Sequence, residues 1–208
     1  MKSIRFRLVE LFVLFIVLPI LFSLAFDIRI KLGIGLVSLL YVIWVLLWHE
    51  EVRLKLSKCI SWRLFWKAVF LKLIVVVVAS TWFVWFYHRE LLFNVVINTP
   101  FVWIKFLFIY SIISVFPQEL VYRTFFFKRY EMLVSNKSLF LFLNATFFSM
   151  GHLFFKNPLV IGLTFIGGLV FAVTYNKSKS TLLVTLEHSI YGCWLFTVGL
   201  GKMLGFPV

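Results

Sequence analysis

Acidic residues are scarce in this chain: 208 residues include only 8 Asp and Glu, against 21 Lys and Arg. Cysteine is scarcer still. Cys59 and Cys193 form no metal-ligand spacing, so they define neither a zinc site nor a redox compartment, and both read as packing residues. Repeats with periods of roughly 20–50 residues and low-complexity linkers are absent, which leaves one domain over 1–208. No His-Glu-x-x-His helix occurs, although a Glu and two His could in principle ligate zinc. Polar surface is the largest deficit. The chain is 62% hydrophobic, against roughly 45–50% in a soluble domain, and its mean hydropathy is +1.03. A water-soluble fold could not hide that much apolar surface.

Apolar runs bounded by charge recur at 8–26, 32–48, 68–87, 101–116, 139–155, 159–175 and 181–204. Each approaches the roughly 20 residues that cross a hydrocarbon core, so the expected fold class is all-α, a polytopic transmembrane helix bundle. The first run follows a basic start and could pass for a signal peptide, but its apolar stretch exceeds the roughly 7–15 residues of such a segment and further spans follow. A formal charge of +13 would suggest nucleic acid as the partner of a soluble protein. Here the cations are scattered over short loops, so the expected partner is the anionic surface of a lipid bilayer and nucleic acid is excluded.

Lys2, Arg5 and Arg7 precede the first run, and Arg53, Lys55, Lys58, Arg63 and Lys67 lie between the second and third, whereas Arg89 stands alone after the third. This bias places the N-terminus in the cytoplasm of a multi-pass protein, taken to sit in the inner membrane of a prokaryote. Residues 49–67 mix cations with Trp62, Phe65 and Trp66, as an interfacial amphipathic segment does. The segment 117–134 reads either as a cytoplasmic loop, giving seven spans and the cleaner charge bias, or as an eighth, polar-faced helix begun at Pro117.

Ionisable side chains inside a bilayer cost on the order of 2.5–3.5 kcal/mol each, so those that persist need partners. Glu119 and Arg123, four apart, share a helix face in the favourable acid-first order. His152 closes the next segment, and Glu187 and His188 lie in the last. Each alone suits a structural ion pair or a satisfied core histidine; together they form one set on the C-terminal segments. Depth then chooses between the topologies. If 117–134 were a loop, Glu119 and His152 would lie about 20 Å apart along the normal; as a descending helix it brings them level. The expectation is therefore about eight segments with both termini cytoplasmic, 1–116 forming N-terminal spans and 117–208 the core that carries the chemistry. Lys72 and Lys105, inside spans, read as snorkelling cations.

Gln118-Glu119-Leu-Val-Tyr-Arg123, Phe148-Ser-Met-Gly-His152 and Glu187-His188-Ser-Ile-Tyr-Gly192 together resemble the three motifs of the CAAX-protease and bacteriocin-processing (CPBP, or Abi) intramembrane proteases, over roughly 116–200. The family patterns are a Glu-Glu pair with Arg four after the second Glu, Phe-x-x-x-His, and a His followed four later by Asn or a similar residue. The resemblance implies a glutamate-type endopeptidase that needs no metal or other cofactor and cuts a membrane-embedded or membrane-adjacent peptide. In it Glu119 and His152 would activate water and His188 would stabilise developing charge, while Arg123, Gln118, Glu187 and Phe148 support them. Two positions depart from the pattern: Gln118 replaces the first Glu, and Gly192 replaces the Asn, a candidate oxyanion donor. The resemblance then implies Glu119 as base, with Glu187 as the second candidate. An inactive relative that binds a membrane peptide or partner, and a small transporter using these residues as a relay, are the competing readings.

Overall fold

The computed structural model describes residues 3–48, 50, 61–201 and 203. Every regular element among them is helical. Helices α1 (Ile4–Ser23), α2 (Ile28–Trp48), α3 (Trp62–Tyr87), α4 (Pro100–Leu133), α5 (Lys137–Phe155) and α6 (Pro158–Ser178) are each long and apolar enough to cross a membrane. α7 (Thr181–Leu195) is extended by a widened turn over Phe196–Leu200. The protein is thus an all-α polytopic bundle. Side-chain caps start five of these helices: Ser3, Ser61, Asn136, Asn157 and Ser180 each accept a backbone N–H of the first turn, satisfying donors that a helix leaves orphaned. Residues 62–67 of the expected interfacial segment form the first turns of α3, and the rest of it, apart from Glu50 and Ser61, lies outside the described residues.

The expected pair of spans either side of Pro117 is one helix of 34 residues, about 51 Å long. Pro117 does not begin it. A proline inside a helix removes one N–H and crowds the preceding turn, and α4 absorbs this with widened, π-type turns over Tyr110–Val115 and Leu120–Phe125. Such turns cluster at functional sites, and here they bracket Glu119. The division expected at 116/117 falls inside this helix. Glu119 and His152 stand level because α5 returns along the second half of α4, as expected; what differs is that the descending helix begins at Pro100. Each stands about 14 or 15 residues from the α4–α5 turn, a rise of about 21 Å on both arms.

The core is aromatic. Phe15 of α1 meets Tyr122, Phe125, Phe126 and Tyr130 of α4 and Phe147 of α5 with ring centroids 5.2–6.4 Å apart. Gly168 of α6 lies against the Ala145 backbone of α5, where a Cβ would press at 3.0 Å. α7 is wedged between α3, α4 and α6. At one end of the bundle Arg129 ties three helices together: its guanidinium donates to Glu10 of α1 at 2.7 and 3.3 Å and to Glu50, just past α2, at 3.2 Å. Outward faces stay apolar, with Val37, Val75 and Ile113 each more than 60% exposed, as lipid contact requires.

Candidate active site

Tyr110, Ser114, Gln118 and Tyr122 recur every four residues on α4 and line one side of a cavity of about 890 Å³. Phe148 and His152 of α5, Phe171 of α6, and His188, Tyr191 and Gly192 of α7 contribute to its other walls. Most of the surface is apolar, so the few polar atoms that reach it stand out.

Glu119 is fully buried beside this wall. One carboxylate oxygen, Oε1, lies 2.7 Å from His188 Nδ1; the other, Oε2, faces Arg123 Nε at 3.3 Å without the alignment of a hydrogen bond. A carboxylate accepts, so Nδ1 of His188 carries the hydrogen and Nε2 presents its lone pair to the Tyr110 hydroxyl 3.3 Å away. His152 Nδ1 donates to the Phe148 carbonyl at 2.8 Å, which by the same logic leaves its Nε2 as an acceptor. The Phe148 ring links the set, with centroids 4.8 Å from His152 and 5.7 Å from His188 and the Arg123 guanidinium 4.7 Å above it. Phe171 stacks on His188 at 4.3 Å.

Five of the residues singled out in the sequence, Glu119, Arg123, Phe148, His152 and His188, therefore converge: Phe148, His152 and His188 line the cavity together with Gln118, while Glu119 and Arg123 are buried behind its wall. The Gln118 amide donates to Ser114 Oγ at 2.8 Å, while Oε1 is buried with no hydrogen-bond partner. Glu119 does not line the cavity that His152 lines; it lies behind the wall, and its hydrogen bond goes to His188, which does line it. Glu187 points elsewhere: it is fully buried, ion-paired with Lys72 and accepts from Tyr191 at 2.9 Å. Lys72 is thereby held by a partner on α7 and by Thr174 at 3.3 Å, in place of the snorkelling expected for it. Lys105 is exposed on α4.

Sequence reasoning missed Asn144, which accepts from Arg123 Nη1 at 2.8 Å and donates to the Tyr122 carbonyl at 2.6 Å. It also missed Tyr110 and Tyr122. The four-residue spacing of Tyr110, Ser114, Gln118 and Tyr122 is the signal that could have found the last two, because it marks one face of a helix. Among the described residues no three His, Cys, Asp or Glu side chains stand close enough to hold a metal ion.

A polytopic helical bundle with a buried carboxylate–imidazole pair beside an apolar cavity defines the class of protein. Residues 100–194 match the Rce1-like family model, described as type II CAAX prenyl endopeptidase Rce1-like. Over that stretch the chain is similar to the CAAX-protease (CPBP) family, and the matched stretch holds every converging residue named above. No curated protein and no solved structure matches the chain.

Proposed function

We propose that this protein is an intramembrane endopeptidase that hydrolyses a peptide bond of a membrane-associated, prenylated substrate, with water activated by Glu119 and the two histidines. The hydrogen bond of 2.7 Å between Glu119 and His188 carries the reading. It supports a division of labour in which Glu119 acts through His188. The carboxylate fixes the tautomer and stabilises the imidazolium that forms when Nε2 takes a proton from water, as the acid of an acid–histidine pair does. His152, oriented by the Phe148 carbonyl, offers a second imidazole to hold that water or serve the leaving amine. Arg123 holds Glu119 in place. The apolar cavity suits an acyl or prenyl chain beside the scissile segment, and the bilayer is the medium from which it would enter.

A farnesylated peptide ending in a CAAX sequence, presented in detergent micelles, tests this. Glu119→Gln keeps the shape and removes the charge; together with His188→Ala and His152→Ala it should lower cleavage by at least about 100-fold at unchanged abundance in the membrane. Full cleavage by Glu119→Gln refutes the reading. Gln118, at the position where the resemblance implies a carboxylate, favours a second one, in which the cavity binds the peptide without cutting it. An unmodified chain that binds the farnesylated peptide and leaves it intact supports that alternative.

A further inference from the structure

Gly192 lies on α7 one turn beyond His188. A Cβ built on it would fall on the Tyr110 hydroxyl and ring edge, closer than any real Cβ contact. The absence of a side chain there is what lets the Tyr110 hydroxyl stand against His188 Nε2, on the cavity wall. The site thus trades a side chain on α7 for a phenol on α4. We propose that Tyr110 is a further catalytic residue, its O–H donating to the oxygen that becomes negative as water adds to the scissile carbonyl. The proposal rests on the endopeptidase reading above.

The step balances as follows. Water oxygen bonds to the carbonyl carbon, its proton passes to His188 Nε2, and the carbonyl π pair moves onto oxygen. Tyr110, whose hydroxyl in the resting site faces Nε2, turns from it to the carbonyl oxygen as peptide and water enter, which frees the Nε2 lone pair for the water proton and leaves the O–H on the new oxyanion. Collapse of the tetrahedral adduct breaks the C–N bond, and the leaving amine takes the proton back from His188. A neutral phenol is a suitable donor because it gives a hydrogen bond without adding a charge to an apolar site. Of the other phenols on the wall, Tyr191 donates to the Val69 carbonyl and to Glu187, which commits it to the structural ion pair. Tyr122 stands over Gly151, next to His152, and is the rival donor.

The experiment compares Tyr110→Phe, Tyr122→Phe and Glu119→Gln with the unmodified protein on the farnesylated peptide, with folding checked by thermal unfolding in detergent. Removing one oxyanion donor costs about 10²–10³ in kcat, so Tyr110→Phe should lose that much with KM within a few-fold. Gly192→Asn alone should lose activity by displacing the phenol. Tyr110→Ala with Gly192→Asn, which puts an amide into the vacated space, should recover at least tenfold over Gly192→Asn. The proposal is overturned if Tyr110→Phe keeps its kcat while Glu119→Gln is dead, an outcome that leaves the endopeptidase reading standing. It is also overturned if Tyr122→Phe alone carries the loss. Cleavage surviving Glu119→Gln removes both readings together.

Discussion

Arg123 has more hydrogen-bonding capacity than partners. Completely buried, it gives Nη1 to Asn144 and, at 3.4 Å, to the Tyr122 carbonyl, sets Nε against Glu119, and leaves Nη2 without a partner. Removing one member of a buried ion pair leaves the other stranded, at roughly 3–5 kcal/mol. Arg123→Ala should therefore melt well below the parent in detergent. Arg123→Met with Glu119→Gln should recover part of that loss although it is catalytically dead, because neither charge is then left alone. An Arg123→Ala protein with unchanged melting would show that the pair does not support the fold. The same reasoning separates the two buried glutamates. Glu187 balances Lys72, so folded Glu187→Gln should still cleave the farnesylated peptide where Glu119→Gln does not. A dead but folded Glu187→Gln would return Glu187 to the list of bases.

At the scale of the element, Pro117 decides how α4 presents the site. Its widened turns place Tyr110 upstream and Arg123 downstream of Glu119 on one continuous helix. Pro117→Ala restores an N–H and removes the clash, so thermal stability should hold or rise by about 1 kcal/mol. As the turn over Tyr110–Val115 relaxes toward regular α-helix, each side chain beyond it rotates about the axis and cleavage should fall. Unchanged kcat in Pro117→Ala would show that the turns are not tuned to the site. This helix is also where the sequence misleads. Helical class, apolar spans and the convergence of Glu119, Arg123, His152 and His188 were legible because burial penalties and four-residue spacing are local signals. The continuity of α4 was not, because proline reads as a helix start, and tolerance of proline depends on widened turns that leave no mark in composition. Lys72–Glu187 and Arg123–Asn144 were hidden for another reason: both join residues on different helices, and no spacing rule spans them.

For the whole molecule, the helices of the bundle alternate in direction. The N-terminal start of α1, the α4–α5 turn and the α6–α7 turn lie at one end; the α1–α2, α3–α4 and α5–α6 connections lie at the other. Arg5, Arg7, Arg63, Lys67, Lys128, Arg129, Lys137, Lys177 and Lys179 fall at the first end, against Arg29, Lys31, Arg89, Lys105 and Lys156 at the second. One continuous α4 therefore yields the stronger positive-inside bias that an eighth span would have weakened, and it puts the start of α1 and the end of α7 on opposite sides. We infer that the Lys-rich end is cytoplasmic and that the Glu119–His188 pair, about 21 Å from the α4–α5 turn, lies toward the outer half of the bilayer. Single cysteines test this in a background with Cys59 and Cys193 changed to Ser. A membrane-impermeant maleimide added to intact cells should label Lys156→Cys at once and Lys179→Cys only after the membrane is opened. Labelling in the reverse order would invert the molecule. Equal labelling of both from outside would mean that α6, which separates them, does not cross the membrane.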